Sequence, residues 1–214
     1  RGVIQCRMLG RDVQAFNDAG VAVIGERGEL VCRQPAPCMP LGFWKDEDGS
    51  RYRAAYFDRF PGVWAHGDYI EFDAEGGCII HGRSDATLNP GGVRIGTAEI
   101  YRQVETLDEI ADSLVVGQDW EGDVRVVLLV VMNADQVLDE VLLKRIRQRI
   151  REHASPRHVP ARIIQIDQVP YTRSGKKVEL AVAKLLRHEV VTNREALANP
   201  EALDQIAMNQ LLWQ

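Results

Sequence analysis

Three stretches of this chain combine residue types and spacing that chemistry could use. The loop Thr172-Arg173-Ser174-Gly175-Lys176-Lys177 presents a lysine on a flexible Ser-Gly hinge. An ammonium is a compact charge with three donors, suited to meeting and then releasing a phosphate or a developing oxyanion. A solvated surface turn is the plain alternative. Gly67-Asp68 lies between two apolar runs, where a carboxylate at a strand boundary could accept hydrogen bonds from a diol, or could simply make a turn. The stretch Gly82 to Glu99, GRSDATLNPGGVRIGTAE, packs an arginine and aspartate pair, a Pro-Gly-Gly turn, a second arginine and a helix-start signal into one short segment.

Two nucleotide motifs are excluded. In GGVRIG, Val93 stands where the second glycine of a dinucleotide fingerprint belongs. Before Gly175-Lys176, Pro170 occupies the first glycine position of a phosphate-binding loop, and Lys177 replaces its Ser or Thr.

The elements that must position these residues fall into two groups divided near Gly82. Before it, Val3 to Met8, Val21 to Ile24 and Glu29 to Val31 are short, Gly-punctuated, β-branched runs and predict a small antiparallel sheet or barrel. Gln34 to Gly42 is a Pro-rich ordered loop. Lys45 to Phe60 predicts a short helix with Tyr52, Tyr56 and Phe57 on its core side. Val63-Trp64, Tyr69 to Phe72 and Cys78 to Ile80 predict further strands, the last two joined by a hairpin at Asp73 to Gly77.

After Gly82 the pattern is α+β. Thr87-Leu88 and Val93 to Ile95 flank the NPGG turn, and Thr97 with Glu99 opens a helix from about Ala98 to Thr106. Ala111 to Val116 and Val124 to Met132 predict strands turning at Glu121-Gly122-Asp123. From Val137 to about His153, Leu138, Leu142, Ile146 and Ile150 recur every four residues with basic residues between, the mark of an amphipathic helix with one wet, basic face. Ile163 to Ile166 is a predicted strand, Val178 to Leu186 a helix, and Pro200 a first-turn residue of a last helix ending in Trp213.

Bulk properties narrow the classes. The 214 residues allow one or two domains. A hydrophobic fraction of 45% with 27% charged residues is that of a soluble globular protein. A net charge of -5 provides no basic field for nucleic acid, and no apolar run is long enough to predict a membrane span. Cys6, Cys32, Cys38 and Cys78 are scattered without metal-ligand spacing, so reduced thiols in a cytoplasmic protein and no metal site are expected. A chain that begins at Arg1 without Met and lacks a secretory leader reads as a fragment.

GDY at Gly67 to Tyr69, GRSDATLNPGGVRIGTAEI at Gly82 to Ile100 and PYTRSGKK at Pro170 to Lys177 occur together in this order. This set resembles the last three core motifs of the adenylate-forming acyl-CoA synthetase superfamily. FWKDEDGSRYRAAYFDRFPGVWAHGDY, SPRHVP, GKKVELAVAKLL and NPEALDQI are similar to the branch of that superfamily that activates acetoacetate rather than acetate, and the resemblance runs over essentially the whole chain.

By this resemblance, Asp68 accepts hydrogen bonds from the ribose hydroxyls of ATP or AMP, and Arg83 binds the nucleotide beside it. Asp85 is the hinge about which a small C-terminal domain swings. Gly91 and Gly92 border the pantetheine tunnel of CoA. Arg94 reaches the active site in the thioester-forming orientation, Arg151 lies near the nucleotide phosphates of CoA, and Lys176 bridges carboxylate and α-phosphate oxygens during adenylation. The implied layout is a β-rich end of a large domain at 1–82, a hinge at 83–85, a mobile domain at 86–190 with a three-stranded sheet and flanking helices, and a helical tail at 191–214.

The implied reaction joins acetoacetate to CoA through an acyl-adenylate, consuming ATP and releasing AMP and pyrophosphate. Acetate or propionate as the acid, and a non-catalytic CoA- or nucleotide-binding module, are the alternatives. The superfamily's Thr/Ser/Gly-rich phosphate loop and aromatic-Gly-x-Thr-Glu motif are absent here. Mg²⁺ and most of the acid pocket are therefore expected on a missing N-terminal part of the same enzyme, its implied partner, and these residues alone are expected to be inactive.

Overall fold

The computed structural model describes residues 3–4 and 6–213. The chain divides into two compact units, Arg1–Asp85 and Ala86–Gln214.

In the first unit, β1 (Val13–Phe16), β2 (Ala22–Val23), β3 (Arg27–Cys32), β4 (Trp64–Phe72) and β5 (Cys78–Arg83) form an open antiparallel sheet in the order β2-β1-β3-β4-β5. Among the described residues the strand order ends at β2 and β5 without closing, which is the sheet, not the barrel, of the two expected forms. Alternate side chains serve two small cores, Phe16, Val31, Phe60 and Ala65 on one side and Ala15, Ile70, Phe72 and Cys78 on the other. One strand was not expected, and one expectation is corrected. Val13–Phe16, a run of four broken by Gln14, forms a strand by pairing with β3. In the segment expected from Val3 to Met8, Ile4 makes only an isolated bridge to Cys78, and Gln5 lies outside the described residues.

The helix α1 (Ser50–Tyr56) buries no residue. Its aromatics make a half-buried cluster instead of a core face, with the Tyr56 ring stacked on Trp64 at 3.8 Å between centroids.

The second unit is built on β6 (Ile110–Trp120), β7 (Asp123–Met132) and β8 (Arg162–Gln165), with β6-β7 antiparallel and β7-β8 parallel. The β6-β7 turn places Glu121 at φ 50° and Gly122 at φ 82°, the paired positive angles of a two-residue hairpin. The helix α3 (Glu140–His153) supplies the crossover that a parallel pair requires.

Period-two alternation sends β6 and β7 side chains to two cores. Val115, Val126, Leu128 and Val130 pack with residues of α2 (Thr97–Val104) and α3; Leu114, Val116, Val127 and Leu129 pack with α4 (Glu179–Leu186) and α5 (Glu201–Met208). With both faces covered, β7 reads as a continuous apolar run. In α3, Leu142, Ile146 and Ile150 are the buried stripe, and Asp139 caps the helix by accepting from the Leu142 N–H at 2.8 Å.

Helix ends differ from expectation in α2 and α5. The first residue of α2 is Thr97, with Glu99 accepting from the N–H of Gly96, the residue before it. Pro200 is the cap rather than the first helical residue of α5, which ends at Met208 before a separate 3-10 turn at Gln210–Trp213.

Candidate functional site

Asp68 and Arg83 face each other on β4 and β5, as paired residues beside an irregularity in the ladder. Gly67-Asp68 is therefore inside a continuous strand and not at a strand boundary. The interruption is local: Gly67 has φ 83°, and a Cβ there would come within 2.5 Å of the Arg83 guanidinium.

The carboxylate of Asp68 meets His66 Nδ1 at 2.6 Å and lies 3.9 Å from Arg83 Nη1. Arg83 donates from Nε and Nη2 to the two oxygens of Asp85, at 3.0 and 2.7 Å, a bidentate fork. Its Nη1 donates to the His66 carbonyl at 3.3 Å. The hydrogen bond to Asp68 holds the His66 pKa above its ordinary value, and the bond to Asp85 does the same for Arg83.

Beneath this group stands Glu29, only 1% exposed. One of its oxygens accepts from the Gly67 N–H at 2.7 Å and the other from Arg59 Nη1 at 2.6 Å. Arg59 also donates to Asp18 at 3.0 Å. A buried carboxylate with both oxygens satisfied by a cation and a strand N–H fixes the irregular segment of β4 from below. Glu29, Arg59 and His66 are not among the residues the motifs single out. The available signal was phase: Glu29 shares its strand face with Val31, so alternation turns a carboxylate inward.

The resulting cleft, about 560 Å³, is lined by residues including Glu29, Arg59, His66, Gly67, Arg83 and Asp85. Its fixed acceptors and guanidinium donors can bind a ligand that carries both hydroxyls and anionic oxygens. A second hollow of about 610 Å³, against Arg7, Arg11, Asp12 and Gln34, contains none of the motif residues. Among the described residues there is no group of three or more His, Cys, Asp or Glu that could hold a metal ion.

The remaining motif residues stand on separate elements of the second unit. Lys176 is exposed on the loop between β8 and α4. Its N–H donates to Thr172 Oγ1 at 3.0 Å, and its carbonyl accepts from the Thr172 N–H at 2.8 Å. Gly91 and Gly92 form an exposed 3-10 turn after Leu88, and the Gly91 N–H lies 3.0 Å from both carboxylate oxygens of Asp123. Arg94 is exposed between that turn and Ile95, and Arg151 is exposed in the last turn of α3.

Lys177 differs from its neighbour. It donates to Glu105 at 2.6 Å and to the Ser113 carbonyl at 2.7 Å, with Asp112 Oδ1 at 3.0 Å. Tyr171 donates to the other oxygen of Asp112 at 2.7 Å, and burial, reinforced by that bond, pushes its pKa up. Burial also raises the Tyr101 pKa, so this phenol too remains a donor, to Glu179.

Residues 100–176 match the family described as AMP-binding enzyme C-terminal domain. The chain is 60% identical over 207 residues to an acetoacetyl-coenzyme A synthetase of Rhizobium meliloti (strain 1021), covering 97% of the chain and 32% of that protein. It is 52% identical over 206 residues to an acetoacetyl-CoA synthetase of Gallus gallus, covering 95% of the chain and 31% of the relative. It thus spans about a third of the length of these relatives. Among solved structures, an acetoacetyl-CoA synthetase from Streptomyces lividans superposes with TM-score 0.91 at 41% identity, over 99% of the chain and 32% of that structure. An amide bond synthetase from Marinactinospora thermotolerans, at TM-score 0.70 and 21% identity, shares the fold.

Proposed function

We infer that this chain is the C-terminal part of an AMP-forming acetoacetate–CoA ligase. The observation that carries the reading is its near-full-length similarity to acetoacetyl-CoA synthetases. In the overall reaction, a carboxylate oxygen of acetoacetate attacks the α-phosphorus of ATP and expels pyrophosphate. The sulfur of CoA then attacks the acyl carbon, and AMP leaves. All the small-molecule substrates are soluble and suit a cytoplasmic enzyme, and among the described residues no helix is long and apolar enough to cross a membrane.

In this reading, the cleft lined by His66, Gly67 and Arg83 takes the nucleotide, with Asp68 beside it, against His66 and outside the lining. Asp68 is a fixed acceptor for a ribose diol, and Arg83 supplies donors for ribose and phosphate oxygens. Asp85, gripped by the Arg83 fork, is the pivot of an 83–85 hinge. Lys176, on its exposed loop, meets negative charge developing between the acid and the α-phosphate. Gly91 and Gly92 allow the pantetheine arm to approach the backbone. Arg94 serves the thioester step and Arg151 the nucleotide phosphates of CoA. Since the first step needs Lys176 and the second needs its place cleared, a swing of the 86–190 domain, carrying the 191–214 tail, would serve both. Mg²⁺ would be held by residues outside this chain.

The test is ATP-dependent pyrophosphate release by the intact enzyme with a panel of acids. Acetoacetate should give the highest kcat/KM; preference for acetate or propionate assigns the enzyme to another short acid and overturns this reading.

A further inference from the structure

We propose that Lys177 is a positioning residue for Lys176, fastening the base of the 172–176 loop to α2 and β6. The proposal rests on the reading of Lys176 as the adenylation cation. The two consecutive lysines differ in their surroundings: Lys176 is exposed, whereas the Lys177 side chain is only 21% exposed.

An ammonium has three N–H donors. Lys177 has three oxygen partners within 3.0 Å, on Glu105, Asp112 and the Ser113 carbonyl. Its Nζ also lies 4.4 Å from the centre of the Tyr101 ring, a cation–π distance. With its donors engaged and its stem laid inward, Lys177 is not a second mobile cation on the loop. It is a tether.

The tether closes through Asp112. Tyr171 and Lys177 are the antiparallel rung at the base of the loop. One oxygen of Asp112 takes the Tyr171 hydroxyl and the other faces Lys177, so a single carboxylate on β6 locks both members of that rung. The outer limb is braced from another side. Asn199 Oδ1 accepts from the Tyr171 N–H at 2.8 Å, the Ala198 N–H donates to the Tyr171 carbonyl at 2.8 Å, and Thr172 bridges to Leu197.

Above this rung the loop is short, with Gly175 at φ 78° turning the tip. The Lys176 backbone is thereby aimed from a rigid base while its side chain remains free to reach. A cation that must sit between two reacting oxygens gains from such a base, because a misplacement of about 1 Å can cost about 10²-fold in rate.

The experiment compares Lys177→Met and Lys177→Arg in the intact enzyme. Acetoacetate-dependent ATP–pyrophosphate exchange reports adenylation, and acetoacetyl-CoA formation from supplied adenylate and CoA reports the second half-reaction. Lys177→Met should lower adenylation kcat by about 10²-fold, with KM for ATP changed by less than about threefold. The second half-reaction should remain within about twofold, and Lys177→Arg, which can still span the two carboxylates, should recover most of the loss.

Adenylation within about threefold of wild type in Lys177→Met, or equal loss of both half-reactions, overturns the proposal. Should Lys177→Met fail to fold, Tyr171→Phe removes only the hydroxyl bond to Asp112. It must then show the same selective loss, at about three- to tenfold, and its absence overturns the proposal equally. A wild-type enzyme that catalyses no exchange with any acid refutes the ligase reading itself, and the positioning role with it. An active wild type with insensitive variants refutes the positioning role alone.

Discussion

Glu29 offers the sharpest quantitative handle on the cleft beside Arg83. It is 1% exposed, with the Gly67 N–H at 2.7 Å on one oxygen and Arg59 at 2.6 Å on the other. In Glu29→Gln the amide oxygen can keep the Gly67 bond, but the charge-assisted bond to Arg59 is lost. Such bonds contribute about 1.5 to 3 kcal/mol. Because the Arg59 side chain is 38% exposed and keeps Asp18, the low end applies.

Glu29→Ala also strands the Gly67 N–H, at about 1 to 3 kcal/mol, and leaves a small void, so its total should reach about 3 to 5 kcal/mol. Denaturant unfolding of the 214-residue chain, followed by circular dichroism, measures both. Because Gly67 precedes Asp68, AMP binding to the intact enzyme should weaken about tenfold or more in Glu29→Ala, about 1.4 kcal/mol at the least. Equal midpoints for the two variants, both within about 0.5 kcal/mol of wild type, would refute the claim that Glu29 supports this segment of β4.

Asp123→Ala removes the acceptor that holds the Gly91 N–H. In the intact enzyme it should slow thioester formation from supplied adenylate by about tenfold while sparing adenylation, and the reverse pattern would contradict a role of that turn in CoA approach. The raised His66 pKa, caused first by its hydrogen bond to Asp68, has a defined sign. Its stabilisation is fully present below the unfolded value of about 6.5 and is lost as pH rises through the higher folded value. The stability difference between wild type and His66→Ala in thermal melts should therefore shrink on going from about pH 5.5 to about pH 9, and a difference that grows with pH would contradict the assignment.

Much of this architecture was legible where the controlling interactions are local. The four-residue recurrence of Leu142, Ile146 and Ile150 sufficed for α3, and Glu121-Gly122 between two apolar runs sufficed for the β6-β7 hairpin. The features that escaped depend on distant partners. Val13–Phe16 is a strand because β3 lies beside it, and its own four residues carry no alternation strong enough to say so. The helical spacing of Tyr52 and Tyr56 is real, but that face meets Trp64 and Phe43 in a half-buried cluster and not a core.

The same division holds for the candidate site. Asp68, Arg83 and Asp85 were legible as motif residues, and hairpin pairing of β4 with β5 brings the first two together. Glu29 reaches Gly67 across 38 residues of sequence, and its second partner, Arg59, lies 30 residues from it. The role of Lys177 was not legible, because nothing in a Lys-Lys pair indicates that Glu105 and Asp112 wait on other elements for one of them.

The central claim is that Lys176 supplies the positive charge for acyl-adenylate formation from acetoacetate. It is tested most directly by separating the half-reactions in the intact enzyme carrying Lys176→Ala. Acetoacetate-dependent ATP–pyrophosphate exchange should fall by at least about 10²-fold, while acetoacetyl-CoA formation from supplied adenylate stays within about threefold of wild type. Exchange that persists in the variant, or equal loss of both half-reactions, would contradict the account.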